Sequence, residues 1–463
     1  MSLVLFFISS IIGLVCVEYC IHPAPRRLII IILWRIKMTA SQIIALAIFV
    51  AVIAVIVSEK LHRAACALIG AMLLVLIGIL EPAEALGFID FNTIGVLIGM
   101  MMFVAVVKNS GIFEYLAVKA ARIAKGNPWR IMVYFMIITA VLSAFLDNVT
   151  TVLLIGPMTF SICKTLELNP IPFLMTQIIS SNVGGTATLI GDPPNIMLGS
   201  AADITFLQFI LYDGPIVAIV MIATILGFRL LYHKGLTVTP EKMELIMKMD
   251  EKEEIRDQIL FYKSIIMICL VALAFILHDT LGLKTSIIAL SCAALMILIG
   301  KQDVEETVHD VEWPTIVFFA FLFIVVGGLE KVGLIHMMAE GMINATGSHY
   351  VILMIVILWV SAICSAVLDN IPFVATLIPL IQTMASEGID VWPLWWAVSI
   401  GACFGGNGTI IGASANVVLT GISNRRGYPI TFMDFLKIGL PMMLLSIVLA
   451  TIYLLIRFGG YWN

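Results

Sequence analysis

Charged residues are scarce in this sequence. They make up 12% of the 463 residues, whereas hydrophobic residues make up 61%. A soluble domain usually contains about 25% charged residues, so the composition excludes an ordinary water-soluble protein and indicates a polytopic membrane protein. The formal net charge of −4 is accompanied by no basic patch, so nucleic acid is not an expected partner. The expected surroundings are a lipid bilayer, and the plasma membrane is the expected location.

Closely spaced cysteines and catalytic motifs are also lacking. The 8 cysteines are scattered, and only Cys16 and Cys20 lie close together, without the histidines of a zinc site. This spacing gives no support to a soft-metal or trithiolate arsenite site. No Ser–His or His-Glu-x-x-His arrangement is present. We therefore expect no enzyme activity and no cofactor, apart from Na⁺ or H⁺ as a coupling ion.

Long apolar segments are what the sequence has instead. Ten are long enough to span about 30 Å of hydrocarbon: 42–57, 64–80, 93–107, 172–198, 214–231, 264–278, 286–300, 315–329, 393–420 and 438–456. Two further segments, 131–165 and 351–385, carry an Asp-Asn pair at their centre. We predict that these two form re-entrant hairpins, each entering and leaving the membrane by the same face. The fold class is therefore an all-α polytopic membrane protein.

The two halves of the chain repeat each other. SAFLDNVTTVLLIGP, 143–157, recurs as SAVLDNIPFVATLIP, 365–379, an offset of 222 residues. SSNVGGTATLIGDPPNIMLG, 180–199, recurs as GACFGGNGTIIGASANVVLTG, 401–421, with its glycines offset by 221. Five spans per half is an odd number, so the halves would insert with opposite orientation, as in secondary transporters built from inverted repeats.

Four segments follow from this plan. Residues 38–232 form the first inverted-topology repeat, 233–263 a cytoplasmic linker, and 264–463 the second repeat. Residues 1–37 are an N-terminal extension, either an extra anchor or an upstream mis-start with Met38 as the initiator. Its basic residues break the positive-inside pattern that the later loops follow, which favours the mis-start.

The repeated motifs are predicted to form an ion site. A charged group at the centre of an apolar span costs ~2.5–3.5 kcal/mol, and backbone broken by glycine and proline is tolerated in hydrocarbon only where it lines a polar cavity. Carbonyls and side-chain oxygens there suit a hard cation, and free amides suit an anion. The predicted binding residues are Asp147, Asn148, Thr150, Gly184, Gly185, Thr186, Thr188, Asp192, Asn195, Asp369, Asn370, Gly405, Gly406, Asn407, Thr409 and Asn416. Na⁺ is expected at Asp147, Asn148, Asp369 and Asn370.

Other interpretations of these residues stay open. Asp or Asn at a hairpin tip is a normal helix N-cap, and glycine-rich motifs also serve close helix packing. Either tip aspartate could instead carry the proton of a proton-coupled cycle. Asp192 has no acidic equivalent, because Ala413 occupies that place, so it is either a specific coupling group or a cap that faces solvent.

At these motifs the sequence resembles the ion transporter superfamily, in particular the branch of arsenite permeases, sodium/proton antiporters and the melanosomal P protein. The resemblance runs from about Met38 to the C-terminus and is most specific in VLDNIPFVATLIP and GACFGGNGTIIGASANVV. It implies two inverted repeats, each with a re-entrant hairpin and a broken helix. The tips and breaks would form a moving transport domain, and the other spans a scaffold that often dimerises.

The resemblance also carries over particular positions. It implies ion-site roles for Asp147, Asn148, Gly184, Thr186, Asn195, Asp369, Asn370, Gly405, Asn407 and Asn416. Relatives with citrate or dicarboxylate substrates have Ser-Asn-Thr at the tips, whereas this chain has Asp-Asn-Val-Thr and Asp-Asn-Ile-Pro. The additional acid argues against a polyanion directly at that point.

These observations predict a secondary active ion transporter with an elevator-like movement. It would be a cation/proton antiporter or an ion-coupled, arsenite-type inorganic-anion permease, in which Asp147 and Asp369 alternate between protonated and ion-bound states. The alternatives are a sodium-coupled citrate or dicarboxylate symporter and a passive anion channel. A homodimer is the expected assembly, and a small ion the expected substrate.

Overall fold

The computed structural model describes residues 38–58, 60–232, 235–346 and 350–462, and the regular structure within these ranges is entirely helical. The predicted extension 1–37 lies outside the described residues. The first half contains α1 (Ala40–Val57), α2 (Arg63–Leu76), α3 (Pro82–Gly87), α4 (Phe91–Lys108), α5 (Ile112–Ile123), α6 (Pro128–Phe145), α7 (Asn148–Thr165), α8 (Ile171–Gly185), α9 (Pro193–Ala201), α10 (Phe206–Tyr212) and α11 (Gly214–Tyr232).

The rest of the described chain follows a short connecting region and has its helices in a similar order, without a counterpart of α10. The connecting region contains α12 (Pro240–Lys248) and a 3₁₀ turn at Glu251–Glu254. The second half contains α13 (Gln258–Leu277), α14 (Thr285–Gly300), α15 (Val304–His309), α16 (Trp313–Lys331), α17 (Leu334–Thr346), α18 (Tyr350–Val367), α19 (Asn370–Ser386), α20 (Trp392–Gly405), α21 (Ser414–Arg425) and α22 (Phe432–Arg457). Helix α13 begins at Gln258, inside the predicted linker 233–263.

Among the described residues, seven helices are long and apolar enough to cross a membrane, namely α4, α6, α11, α13, α16, α18 and α22. Shorter apolar helices, α1, α2, α14 and α19, accompany them, and α9 with α10 forms a pair bent by 114°. The chain is thus an all-helical multi-pass membrane protein, as predicted. Of the ten predicted spans, five meet the length criterion as α4, α11, α13, α16 and α22. Helices α1, α2 and α14 are too short, and the predicted spans 172–198 and 393–420 are interrupted.

Each predicted hairpin is a pair of helices separated by two residues. Helix α6 runs parallel to α8, since Ala140 packs on Gly184 and Ala144 accepts a hydrogen bond from Thr188, just beyond α8. Helix α18 packs on α20 in the same way, with Ala362 against Gly405.

Helix α7 runs antiparallel to the same helix α8. Asn148 at its start bonds Asn182 near the end of α8, and Thr159 accepts from Gln177 earlier in α8 at 2.6 Å. The chain therefore reverses direction at Leu146–Asp147, where Leu146 is extended and Asp147 caps α7.

The start of α4 lies near the end of α16. Trp313 of α16 follows Phe91 of α4 by the repeat offset of 222, so the two helices hold equivalent places in the sequence repeat. Phe88, just before α4, packs on Gly327 near the end of α16. Opposite insertion of the two halves into the membrane stays a prediction.

The close packing of α6 on α8 supplies a test. A Cβ atom at Gly184 would collide with the backbone of Ala140, whereas a Cβ atom at Gly421 in α21 meets no atom within 4 Å. We expect Gly184→Ala to lower the free energy of unfolding by ~1–3 kcal/mol, because overpacking displaces backbone. The control Gly421→Ala should leave it unchanged or raise it by up to ~1 kcal/mol. Denaturant unfolding in detergent measures both, and equal effects would contradict the packing role.

Candidate functional site

Six helices begin around one small cavity between the two hairpin tips: α2, α7, α9, α16, α19 and α21. Residues from the first three positions of these helices line it, namely Arg63, Asn148, Val149, Pro193, Thr315, Asn370, Ile371 and Ser414. The cavity has a volume of about 20 Å³, and a single water-sized sphere needs about 10–15 Å³. In this conformation the site therefore has room for one or two atoms of water or ion size.

Four acids stand at the N-cap positions of four of these helices, and of the four only the Asp147 side chain accepts a hydrogen bond from the backbone of its own helix. Asp147, Asp192, Glu312 and Asp369 are the residues immediately before α7, α9, α16 and α19. The first three line the cavity, and Asp369 lies beside it through its bonds to Arg63 and Ser414. The capping role and the site role, which the sequence left as alternatives, thus coincide in position. A carboxylate is also the charge that a helix N-terminus stabilises.

Arg63 is the only basic residue among those that line the cavity. Its guanidinium pairs with Asp369 at 3.0 Å and donates to Ser414 at 2.6 Å and to Thr315 at 3.0 Å. Arg63 is not among the site residues predicted from the sequence. The repeat contained a signal for it, because the offset of 222 puts Thr285 at the equivalent place, so a cation stands in one half where the other has a hydroxyl.

Glu312 was also missed. It accepts a hydrogen bond from Thr315 at 3.1 Å, and Asp90 accepts one from Thr93 at 2.5 Å in the equivalent position of the first half. Of this pair of acids only Glu312 lines the cavity. The repeat could have identified it as an acid at a helix start, but only the packing shows which copy faces the site.

Asp147 is held by its own helix. It accepts the backbone N–H of Thr150 at 2.8 Å and also bonds the Thr150 hydroxyl. Thr150 therefore positions Asp147 rather than lining the cavity itself. Asp147 forms no ion pair within the described ranges.

Asp192 joins the two halves. Both of its carboxylate oxygens accept from the Asn370 side chain, each at 3.2 Å. The break before α9 in the first half is thereby tied to the hairpin tip of the second half. Asp192 is 1% exposed, which excludes the interpretation of it as a cap that faces solvent.

A chain of carboxamides crosses between the halves behind the cavity. Asn148 donates to Asn182 at 3.2 Å, and Asn182 donates to Asn407 and Asn416 at 2.9 Å each. The sequence analysis missed Asn182, whose equivalent at an offset of 221 is Cys403. Two carboxamides of the first half are thus linked to two of the second.

Two interrupted segments follow the hairpins: residues 186–192, between α8 and α9, and residues 406–414, from the end of α20 to the start of α21. In both, side-chain amides satisfy the backbone. Asn195 donates to the carbonyls of Gly185, Thr186 and Thr188 at 3.4, 3.2 and 3.0 Å. Asn416 donates likewise to Gly406 and Thr409 at 2.7 and 2.8 Å.

The carbonyls of these interrupted segments were predicted to bind Na⁺. In this conformation the side-chain amide of Asn195 or Asn416 occupies the position beside the carbonyls that a cation would take. Among the described residues, no group of three or more His, Cys, Asp or Glu side chains could hold a metal ion. Na⁺ binding at Asp147, Asn148, Asp369 and Asn370 stays a prediction.

The predicted glycines lie where backbone meets backbone. A Cβ at Gly405 would meet the carbonyl of Ala362 at 2.5 Å, and a Cβ at Gly185 would meet that of Gly191 at 2.7 Å. Gly406 faces Gly412 at 3.1 Å in the same manner. These contacts support the packing interpretation of the glycines, and none of the glycines lines the cavity.

The charges around the cavity nearly balance. Each helix N-terminus carries roughly half a positive charge, so six of them with the guanidinium of Arg63 come close to offsetting four ionised carboxylates. Binding one proton or one monovalent cation would add one positive charge to this balance. In a low-dielectric site, where uncompensated charge is costly, a second such ion would therefore cost more than the first.

The pair of Arg63 with Asp369 provides a direct test. The two side chains are 26% and 13% exposed, so we expect Arg63→Gln and Asp369→Asn to show a coupling free energy of ~1–3 kcal/mol in a double-mutant cycle of unfolding. The control cycle uses Lys242→Gln and Glu167→Gln, whose side chains are 31% and 71% exposed and should couple by less than ~1 kcal/mol. Additive effects at Arg63 and Asp369 would contradict a functional contact between them.

Comparison with known proteins agrees with this architecture. A family model described as a citrate transporter matches residues 53–401. An uncharacterised transporter of Mycobacterium tuberculosis is 42% identical over 425 residues, which cover 90% of this chain and 99% of the relative. The human P protein is 32% identical over 498 residues, covering 89% of this chain and 59% of that protein.

A solved structure shares the fold. It is the YdaH transporter of Alcanivorax borkumensis, with a TM-score of 0.57, 16% sequence identity, and coverage of 82% of this chain and 88% of that one. The matched family, the mycobacterial relative and the YdaH protein are described as transporters rather than enzymes. The chain described here therefore belongs to the citrate transporter family of membrane transporters.

Proposed function

We propose that this chain exchanges a small monovalent cation for protons, with the cavity between the hairpin tips as the site that both ions use in turn. The observation that carries the proposal is the set of four carboxyl groups at Asp147, Asp192, Glu312 and Asp369 around a cavity of about 20 Å³. A monatomic cation fits that volume, and a tricarboxylate does not.

Near-neutral charge explains why the two ions would exclude each other. A carboxylate that gains a proton and a site that gains a cation each add one positive charge, and the second of the two would add to a charge that the first already leaves uncompensated in low dielectric. Exclusive occupancy of one site by two ions is what exchange requires. Asp147 is a candidate for the proton because it lines the cavity and, like Asp192 and Glu312 but unlike Asp369, forms no ion pair within the described part of the chain.

Arg63 would couple binding to movement. It lies on α2, which packs along α16, whereas its partners Asp369 and Ser414 belong to the second hairpin tip and the second interrupted segment. An elevator-like movement of tips and interrupted segments past α2 and α16 would have to break this pair. A cation arriving at Asp369 competes with the guanidinium and so favours that break.

A sodium-coupled carboxylate symporter is the second candidate. The guanidinium of Arg63 and six helix N-termini are groups that bind carboxylates, and the name of the matched family is citrate transporter. A carboxylate substrate would require the cavity to open well beyond its volume of about 20 Å³.

Proton flux into proteoliposomes separates these candidates. With a pH dye inside, we expect Na⁺ or Li⁺ outside to drive proton movement, and we expect Asp147→Asn and Asp369→Asn to reduce its rate at least about a hundredfold, the loss typical of a removed proton-transfer group. The dye signal should not depend on added citrate or arsenite.

The matched control is Asp90→Asn, since Asp90 is the acid equivalent to Glu312 that does not line the cavity. It should retain most of the flux. Silence toward every cation with uptake of radiolabelled citrate or another anion would contradict cation/proton exchange and support the symporter.

A further inference from the structure

One buried acid takes no part in the cavity. Asp213 lies between α10 and α11 and is 0% exposed. Its Oδ2 is 2.6 Å from the hydroxyl of Ser399 on α20, and its Oδ1 is buried without a hydrogen-bond partner. It forms no ion pair in the described part of the chain. An ionised carboxylate so placed costs several kcal/mol.

The hydrogen atoms around Ser399 can be counted. The amide nitrogen of Asn195 faces the carbonyls of Gly185, Thr186 and Thr188, so its Oδ1 must be the atom 2.8 Å from the Ser399 hydroxyl. That hydroxyl therefore lies between two oxygen acceptors and has one hydrogen to donate.

A proton on Asp213 resolves the shortage. The Asp213 O–H then donates to Ser399, and the Ser399 hydroxyl donates to Oδ1 of Asn195. With Asp213 ionised, one of the two contacts, at 2.6 or 2.8 Å, would bring together oxygens with no hydrogen between them. The geometry thus fits the protonated acid and not the carboxylate.

The polar chain continues from Asp213 to the cavity. Cys403 lies 3.5 Å from Oδ1 of Asn195 and also beside the carboxylate of Asp192, which lines the cavity. The titratable groups that face Asp213 from the surrounding helices are Cys403 of α20 and Tyr453 of α22. Arg457 of α22 lies over the ring of Tyr212 instead, 4.5 Å from its centre.

We propose that Asp213 is a proton-binding site that controls the first interrupted segment, residues 186–192. The bound proton directs the Ser399 hydroxyl toward Asn195 and so fixes the Asn195 amide on the carbonyls of that segment. When the proton leaves to water, the Asp213 carboxylate becomes the acceptor for the Ser399 hydrogen. Asn195 then loses that donor, and the segment is released. This proposal goes beyond cation/proton exchange, and the experiments that test it do not measure transport.

Infrared spectroscopy tests the proton. At neutral pH we expect a carbonyl stretch of a protonated carboxylic acid that shifts on ¹³C labelling of aspartate and disappears in Asp213→Asn. Asp310→Asn, which changes an exposed acid between α15 and α16, should leave the band unchanged. Ser399→Ala removes the acceptor, so the band should move to higher frequency. If Asp213→Asn does not fold, the frequency shift in Ser399→Ala alone decides whether the band belongs to Asp213. Absence of this shift overturns the assignment of the proton to Asp213.

Hydrogen exchange tests the control of the interrupted segment. After correction for intrinsic rates, exchange of the 186–192 amides should rise by about tenfold or more as alkaline pH removes the proton, the effect of losing a charge-linked hydrogen bond. Asp213→Asn carries a permanent donor in place of the acid, so its exchange should not depend on pH. Equal pH dependence in wild type and Asp213→Asn would overturn the proposed switch, whatever the transport assays show.

Discussion

The structure depends on one electrostatic constraint, which is that six helices begin inside the protein at the same small cavity. The first turn of a helix has N–H groups without intrahelical acceptors and a partial positive charge, and hydrocarbon provides no water to satisfy them. Acids stand immediately before α7, α9, α16 and α19 and place negative charge at these helix starts, and the Asp147 side chain also accepts an N–H of its own helix. The residues that compensate the helix starts are thus the same residues that line or border the cavity.

The two halves share a framework but differ in chemistry. Asn195 and Asn416 satisfy their interrupted segments in the same way, and Thr188 and Thr409 both bond the end of the preceding hairpin helix. At other equivalent positions the halves differ: the repeat has Thr285 in place of Arg63, Ala413 in place of Asp192, and Cys403 in place of Asn182. Residues that are the same in both halves therefore support the backbone. Residues that differ supply Arg63, the one basic side chain that lines the cavity, and the hydrogen bonds of Asp192 and Asn182 to the second half.

The sequence predicted much of the architecture because hydrocarbon allows few solutions. Apolar runs of sufficient length become helices, and Asp-Asn pairs and glycine-proline motifs inside such runs can only be tips or breaks. The hairpins, the interrupted helices, and the gathering of Asp147, Asn148, Asp192 and Asn370 around one cavity follow that logic. The sequence reasoning also placed Gly184 and Gly405 in the site, whereas the structure uses them to bring backbones together.

What the sequence by itself determined is the class of protein, the positions of the spans and the repeated motifs, since these follow from hydrophobicity and local backbone preference. Only the tertiary structure decided which polar groups meet. Arg63 lies 306 residues from Asp369, and Asp192 lies 178 from Asn370, so no local pattern links them. In the sequence, Asp213 is an acid between two apolar helices. Its burial and its contact with Ser399 arise only when α20 packs against it. Pairing of charges in low dielectric is a property of the packed whole, because burial and partner are both supplied by distant parts of the chain.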